Sequence, residues 1–149
     1  MSFEWLIVCP AHVMASQRHR WDDLWLLFGD VMNWKNNFKE GKELVLATCS
    51  KTGKPNANVV ISLGFDKDKL MIADCSMTTT IKNLKENPQI VIVNGYLKII
   101  GKVKTYSSGK EFNKCVKIVT KQDKTIKVKN AIFVDVINVI DMANLKKIV

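Results

Sequence analysis

The feature that most limits what this chain can fold into is a series of short apolar runs, each closed by a turn signal. Leu44-Val45-Leu46-Ala47-Thr48-Cys49 is the first, and residues 50–55 end it with Gly53 free to take a positive φ. Residues 57–63 follow, with Ala57, Val59, Ile61 and Leu63 on one face and Asn58, Val60 and Ser62 on the other. Two strands joined by a glycine-containing loop make an antiparallel hairpin. The turn Asp66-Lys67-Asp68-Lys69 leads into the strand Leu70-Met71-Ile72-Ala73. Residues 89–93 and the Asn94-Gly95 turn precede a long strand over 96–106. There Leu97, Ile99, Gly101 and Val103 alternate with Lys98, Ile100, Lys102 and Lys104. A last strand is expected over 131–139. About six strands, mostly hairpin-connected and without a strand–helix–strand rhythm, predict a mainly β, α+β domain whose antiparallel sheet closes into a barrel.

Helices punctuate this pattern. Residues 33–40 read as a short helix stopped by Gly41. Ser108-Gly109-Lys110-Glu111 reads as a capping box, after which Phe112, Cys115, Val116 and Val119 recur at helical spacing and pack one face on the sheet. Residues 122–129 carry no clear signal. The densest local pattern is Asp74-Cys75-Ser76-Met77-Thr78-Thr79-Thr80-Ile81-Lys82-Asn83-Leu84-Lys85-Glu86-Asn87-Pro88, a strand end turning into a helix that Pro88 stops. Ile81 and Leu84 share its inward face. Ser76 or Thr78 is the expected cap. Three consecutive threonines are poor helix formers, however, and only one residue can cap. The excess hydroxyls, the bare N–H groups of a helix start and Lys82 one turn in together suit a phosphate.

Charge divides the chain near residue 31. Both arginines, both histidines and three of the four tryptophans precede it, and all 21 lysines follow it. Residues 1–30 carry a net −2 and the remainder +11. This contrast sets apart an N-terminal extension, residues 1–30, which an upstream start would also produce, from a domain over 31–149. The extension has Glu4 and no Lys or Arg ahead of its short apolar run, unlike a secretory signal. Residues 21–28 are apolar nearly all round and are expected to form a helix that must bury. No apolar run approaches the roughly 20 residues of a membrane span. The four cysteines are far apart in sequence, which argues against a zinc site and for a reduced, cytoplasmic setting. Core burial is the expectation for Cys49, Cys75 and Cys115.

The domain contains no histidine and no arginine. Ser–His and Cys–His catalysis and histidine metal sites are therefore excluded within it, and a bound cofactor would have to carry any difficult step. Its lysines are scattered through turns and strand alternates, as on a solvated surface, and it lacks the arginines and many of the aromatics that basic nucleic-acid binders use.

With these residues in order, the chain resembles the FMN-binding split-barrel proteins, relatives of pyridoxamine 5'-phosphate oxidase. Residues 44–48 followed by Thr52-Gly53-Lys54-Pro55-Asn56-Ala57-Asn58-Val59-Val60 resemble that family's opening hairpin. Residues 70–74 and 77–88 resemble its phosphate-binding strand end and helix, and 96–103 with Gly109-Lys110-Glu111-Phe112 its next strand and helix. The resemblance spans 44 to about 141. It implies a six-stranded antiparallel split β-barrel with flanking helices, dimerised about two FMN sites. It would place the FMN phosphate on Thr78, Thr79, Thr80 and Lys82. The flavin ring would lie along Asn58, Val59 and Val60, near the backbone of Ile72, Ala73 and Asp74, with Tyr96 reaching in from a partner. Many members carry Arg or Lys where Thr79 and Thr80 stand, so here the phosphate charge would fall to Lys82, other lysines and the helix end.

The expected function is an FMN-dependent oxidoreductase acting on a small molecule. The alternatives are a flavin electron-transfer module without substrate turnover, and a basic nucleic-acid-binding β-barrel. Pyridoxamine phosphate itself is not the expected substrate, because the chain ends soon after the last strand without the His- and Arg-bearing segment associated with it.

Overall fold

The structure, a computed structural model, describes residues Asn33–Val149. The N-terminal extension and the helix expected over 21–28 lie outside the described residues. One antiparallel sheet contains β1 (Glu43–Cys49), β2 (Pro55–Asp66), β3 (Lys69–Asp74), β4 (Gln89–Asn94), β5 (Leu97–Tyr106), β6 (Asn130–Asp141) and the two-residue β7 (Lys146–Lys147). Helix α1 (Thr78–Glu86) joins β3 to β4, and α2 (Lys110–Gln122) joins β5 to β6. The strand order is β3-β2-β1-β4-β5-β6-β7, and β3 also pairs with β6. That last pairing closes six strands into a barrel and removes most exposed edges. The expected six-stranded antiparallel barrel with flanking helices is the fold.

The alternation read in the sequence has its physical cause in two cores. Leu44, Leu46, Ile72, Ile92 and Ile99 fill the barrel. Outside it, Cys115 and Val119 of α2 cover Leu63, Met71, Ala131 and Phe133. β6 is therefore buried on both faces at Ala131, Ile132, Phe133 and Val134, which is why that run is continuously apolar rather than alternating.

Gly101 marks a constriction in the wall. The β5–β6 register slips between Ile100↔Asn138 and Gly101↔Val136, leaving Ile137 as an extra residue on β6. A Cβ on Gly101 would lie 2.7 Å from the Asp135 carbonyl oxygen and 2.8 Å from Val134 Cγ1. A bulge bends the strand and strengthens its twist, and only glycine admits this approach.

Three local expectations differ from the structure, and one short strand was not expected at all. The helix over 33–40 contracts to a 3-10 turn, Trp34–Phe38, because Phe38 is drawn fully into the core and its carbonyl accepts the Ser62 hydroxyl at 2.6 Å. Ser108 does not cap α2; Gly109 stands there with φ 92° and no side-chain cap. Among the described residues Cys115 is buried as expected, whereas Cys49, at the end of β1, and Cys75, just after β3, are half-buried. β7 carries no sequence signal; it pairs with Ile140 and Asp141 of β6, and the Ile148 and Val149 backbone extends the contact to Val139.

The barrel is open along one seam. β2 pairs with β3 only at Ser62↔Ile72, Phe65↔Leu70 and Asp66↔Lys69. Residues 55–61 pair with β1 on one edge and, among the described residues, with no strand on the other. Ala73 and Asp74 likewise pair with β6 alone.

Candidate functional site

Asp74, at the end of β3, organises the mouth of this seam. It is 2% exposed, and its Oδ1 accepts the Met77 N–H at 2.6 Å while Oδ2 accepts the Asn130 side-chain amide at 2.7 Å. Its carbonyl accepts the Lys129 N–H at 2.7 Å. One buried carboxylate thus ties the end of β3 to the starts of α1 and β6. Both its oxygens are engaged, as a buried charge requires.

Helix α1 begins without a side-chain cap. Met77 occupies the cap position, and neither Ser76 nor Thr78 bonds back to the helix, contrary to expectation. The Met77 N–H itself is taken by Asp74, from outside the helix. The Thr78 N–H turns to the Ser76 carbonyl at 3.0 Å, and the N–H groups of Thr79 and Thr80 have no protein partner among the described residues. Thr78, Thr79 and Lys82 are exposed beside them. Unpaired N–H groups at the positive end of a helix attract an anion.

Thr80 departs from its expected place at the phosphate. It is fully buried, donating its hydroxyl to Asn58 Oδ1 at 2.8 Å and accepting from Asn56 Nδ2 at 3.0 Å. Asn56 Nδ2 also reaches Asn58 Oδ1 at 2.8 Å. Thr80 lies on the inward side of α1 with Ile81, Asn83 and Leu84, and that side plugs the end of the barrel. Asn83 Nδ2 adds a 3.2 Å bond to Thr48 Oγ1. The third threonine therefore fastens the helix to the β1–β2 hairpin, and the Asn58 carbonyl is committed to the same junction.

The structure distributes the other sequence-predicted residues as follows. Val60 points inward at 7% exposed and Val59 outward at 70%. Their shared backbone belongs to the free edge of β2, facing Ala73 and Asp74. Ile72 is paired with Ser62 on one edge and Ile132 on the other, so it offers the seam no free edge and the predicted contribution of β3 narrows to Ala73 and Asp74. Asp74, Thr78 and Lys82 come together on a cleft of about 330 Å³, with Ser76, Lys85 and Lys129 also on its walls. Lys129 was not legible in the sequence, because its place depends on the long-range bond to Asp74. Tyr96 is 73% exposed in the β4–β5 turn, and its carbonyl accepts the Met142 N–H at 2.8 Å.

A second cleft, about 490 Å³, lies between the 66–69 turn and α2. Its charges are largely paired: Lys114 with Asp66 at 2.6 Å and Lys69 with Asp135 at 3.0 Å. The Lys114 hydrogen bond holds the Asp66 carboxyl below the usual range, and the Asp135 carboxylate raises the Lys69 ammonium. Burial pushes the Cys75 thiol up, helped by the neighbouring Asp74 carboxylate, and pushes Cys115 up to about 11. Neither is an activated thiolate. Among the described residues no group of His, Cys, Asp and Glu is placed to hold a metal ion, and no helix is long and apolar enough to cross a membrane.

These groups suit a ligand with hydrogen-bonding edges and an anionic group. The seam presents free strand edge, the first turn of α1 presents N–H and hydroxyl donors, and the adjoining cleft presents ammonium groups. FMN meets each of these requirements in chemical type.

The sequence family described as pyridoxamine 5'-phosphate oxidase matches residues 34–141, well over half of the chain. No curated protein matches it in sequence. Among solved structures, HupZ of Group A Streptococcus is 16% identical with a TM-score of 0.62, covering 76% of this chain and 92% of HupZ. An FMN-binding protein of Syntrophomonas wolfei subsp. wolfei is 15% identical with a TM-score of 0.60, covering 86% and 94% respectively. HutZ, the heme storage protein of Vibrio cholerae, is 15% identical with a TM-score of 0.55, covering 70% and 88%. At these identities the likeness is one of fold.

Proposed function

The chain belongs to the pyridoxamine 5'-phosphate oxidase family, and from that premise we propose that it is an FMN-binding flavoprotein, a homodimer that acts as an oxidoreductase on a small molecule. The observation that carries this reading is the uncapped first turn of α1 placed beside the free edges of β2 and β3. Thr78 and Thr79 supply hydroxyls and Lys82 an ammonium to the phosphate. Backbone from 58–60 and from Ala73 and Asp74 meets the ring edge. Asn58 and Thr80 act behind these groups by holding α1 against β2. FMN, when bound, supplies the electron-transfer chemistry that a domain without His or Arg lacks.

The dimer is proposed to form on the outer face of β2, β1 and β4. Val59 sits opposite Val45, and Val45 opposite Val93. Val59, Val45 and Ile61 are 70%, 43% and 44% exposed. A contiguous apolar sheet face of this kind marks an association surface. Burying it would bring two seams to one interface.

The likeness to a heme storage protein favours one other ligand. Heme iron is commonly held by His, and residues 33–149 contain none, so FMN is preferred. The test is titration of purified protein with FMN and with hemin, followed by absorbance and fluorescence. Saturable quenching of FMN fluorescence supports the reading, and hemin binding without FMN binding overturns it. Turnover with a nicotinamide reductant then separates an oxidoreductase from an electron-transfer module. Retained nucleic acid that salt removes would indicate the basic-barrel alternative.

A further inference from the structure

We propose that the cleft between the 66–69 turn and the start of α2 binds a small zwitterion, an α-amino acid with an apolar or aromatic side chain. The inference goes beyond the flavin reading and does not depend on it. Lys67 and Asp68 form the turn that closes the β2–β3 hairpin, whereas the seam opens where those two strands part. The cleft, about 490 Å³, falls within the range of small-molecule sites. Its walls carry four lysines and four acids, so total charge favours neither an anion nor a cation. The signs are nonetheless segregated. At one pole the Lys114 hydrogen bond, 2.6 Å, lowers the Asp66 carboxyl, and the charges of Lys67 and Lys110 add to the effect. At the other pole Asp135, 3.0 Å away, raises the Lys69 ammonium, and Tyr106 and Glu111 add to that. Each ion pair cancels within its own pole. Lys67 and Lys110 remain at the first and Glu111 at the second, and none of the three forms an ion pair among the described residues.

Two local preferences are broken at the cationic pole. Lys67 has φ 56°, the left-handed region that glycine and asparagine favour. Lys110 opens α2, where the positive end of the helix disfavours a cation. Local structure asks for lysine at neither position, yet both bring an ammonium to one end of one cleft. Departures of this kind collect at functional sites. Geometry sets the size of the ligand. Asp66 and Lys69, at the roots of the two poles, are cross-strand partners, one strand spacing of about 4.8 Å apart. Lys110 and Glu111 are consecutive on α2, and a turn of about 100° per residue parts them toward opposite poles. An amine and a carboxylate on one carbon match so short a separation. The same walls carry an aromatic pair, half-buried Tyr106 meeting Phe133 edge to face with ring centroids 5.6 Å apart. Lys67 and Lys110 take the carboxylate in this scheme, Glu111 takes the ammonium, and the Tyr106 ring takes the side chain.

The experiment titrates the full chain with L-phenylalanine, phenethylamine and 3-phenylpropionate, which carry both charges, the amine alone and the carboxylate alone. The readout is the amide NMR shifts of Lys67, Tyr106, Lys110 and Glu111. The expected result is saturable shifts with L-phenylalanine and binding about tenfold weaker for each half-charged analogue. Lys110→Gln should weaken L-phenylalanine and leave phenethylamine unchanged. Glu111→Gln should weaken L-phenylalanine and leave 3-phenylpropionate unchanged. Lys117→Gln, on α2 but off the walls, should alter none of the three. Absence of saturable shifts with L-phenylalanine overturns the inference, and so does either analogue binding as tightly as the amino acid. If the variants fail to fold, the comparison of the three ligands on wild type still decides.

Discussion

Thr78, Thr79 and Thr80 are identical in type and consecutive, yet they do two different jobs. An α-helix advances about 100° per residue, so a run of three cannot keep all its side chains on one side. Thr80 turns into the barrel end and joins Asn56 and Asn58, while its predecessors remain in solvent. Substituting Thr80 with Val keeps the volume but removes one of the two donors to Asn58 Oδ1 and one acceptor of the Asn56 amide. The expected cost is about 1–3 kcal/mol of stability, measurable by urea unfolding. Thr79→Ala should leave the unfolding midpoint within experimental error and weaken FMN binding severalfold, and an unchanged FMN titration would remove Thr79 from the site. Cys115 offers a pH test. Its thiol pKa is raised in the folded protein by burial, so its contribution to stability is complete below pH 9 and is lost as pH rises toward 11. Thiol-specific labelling of the native protein near pH 8 should spare Cys115 and modify it once the chain is unfolded.

Among the elements, β5 and α1 show how local pattern and tertiary contact divide the work. The alternation of β5 is strict, with Leu97, Ile99 and Val103 inward and Lys102 and Lys104 outward, so its place in the wall follows from period alone. Gly101 belongs to the inward set by spacing, but the reason for glycine there is the Asp135 carbonyl across the bulge. Gly101→Ala is expected to destabilise the domain by about 1–3 kcal/mol through overpacking, since neighbouring backbone cannot give way as a flexible side chain would. Differential scanning calorimetry would register this, and an unaltered Tm would show that the bulge can relax. Helix α1 has the inward Ile81 and Leu84 that its spacing requires. Its anchoring through Thr48, Asn56 and Asn58 is polar, and no hydrophobic periodicity reports such bonds.

The described domain, residues 33–149, is a closed wall with a seam and an exposed apolar sheet face. Closure comes from β3 meeting β6, strands far apart along the chain, and the seam exists because β2 runs on past the point where β3 leaves it. On the face they share with half-buried Val93, Val59 and Val45 remain 70% and 43% exposed. If a second copy covers it, Val59→Glu should give a folded monomer by analytical ultracentrifugation with the circular dichroism of the parent. A variant that remains dimeric would place the interface elsewhere. Since the seam opens beside this face, the same variant is expected to bind FMN less tightly than the dimer.

The six barrel strands, their antiparallel class, the two helices and the absence of histidine and arginine from the domain were all determined by the sequence, because each depends on local periodicity, turn chemistry or residue type. The hydroxyl-rich start of α1 was legible for the same reason. Tertiary structure alone decided that Thr80 faces inward, that Asp74 clamps three segments, that Ile72 is covered on both edges and that Lys129 arrives at the cleft. Those outcomes turn on which distant residues share a hydrogen bond or a strand edge, and long-range pairing leaves no period in the chain that makes it.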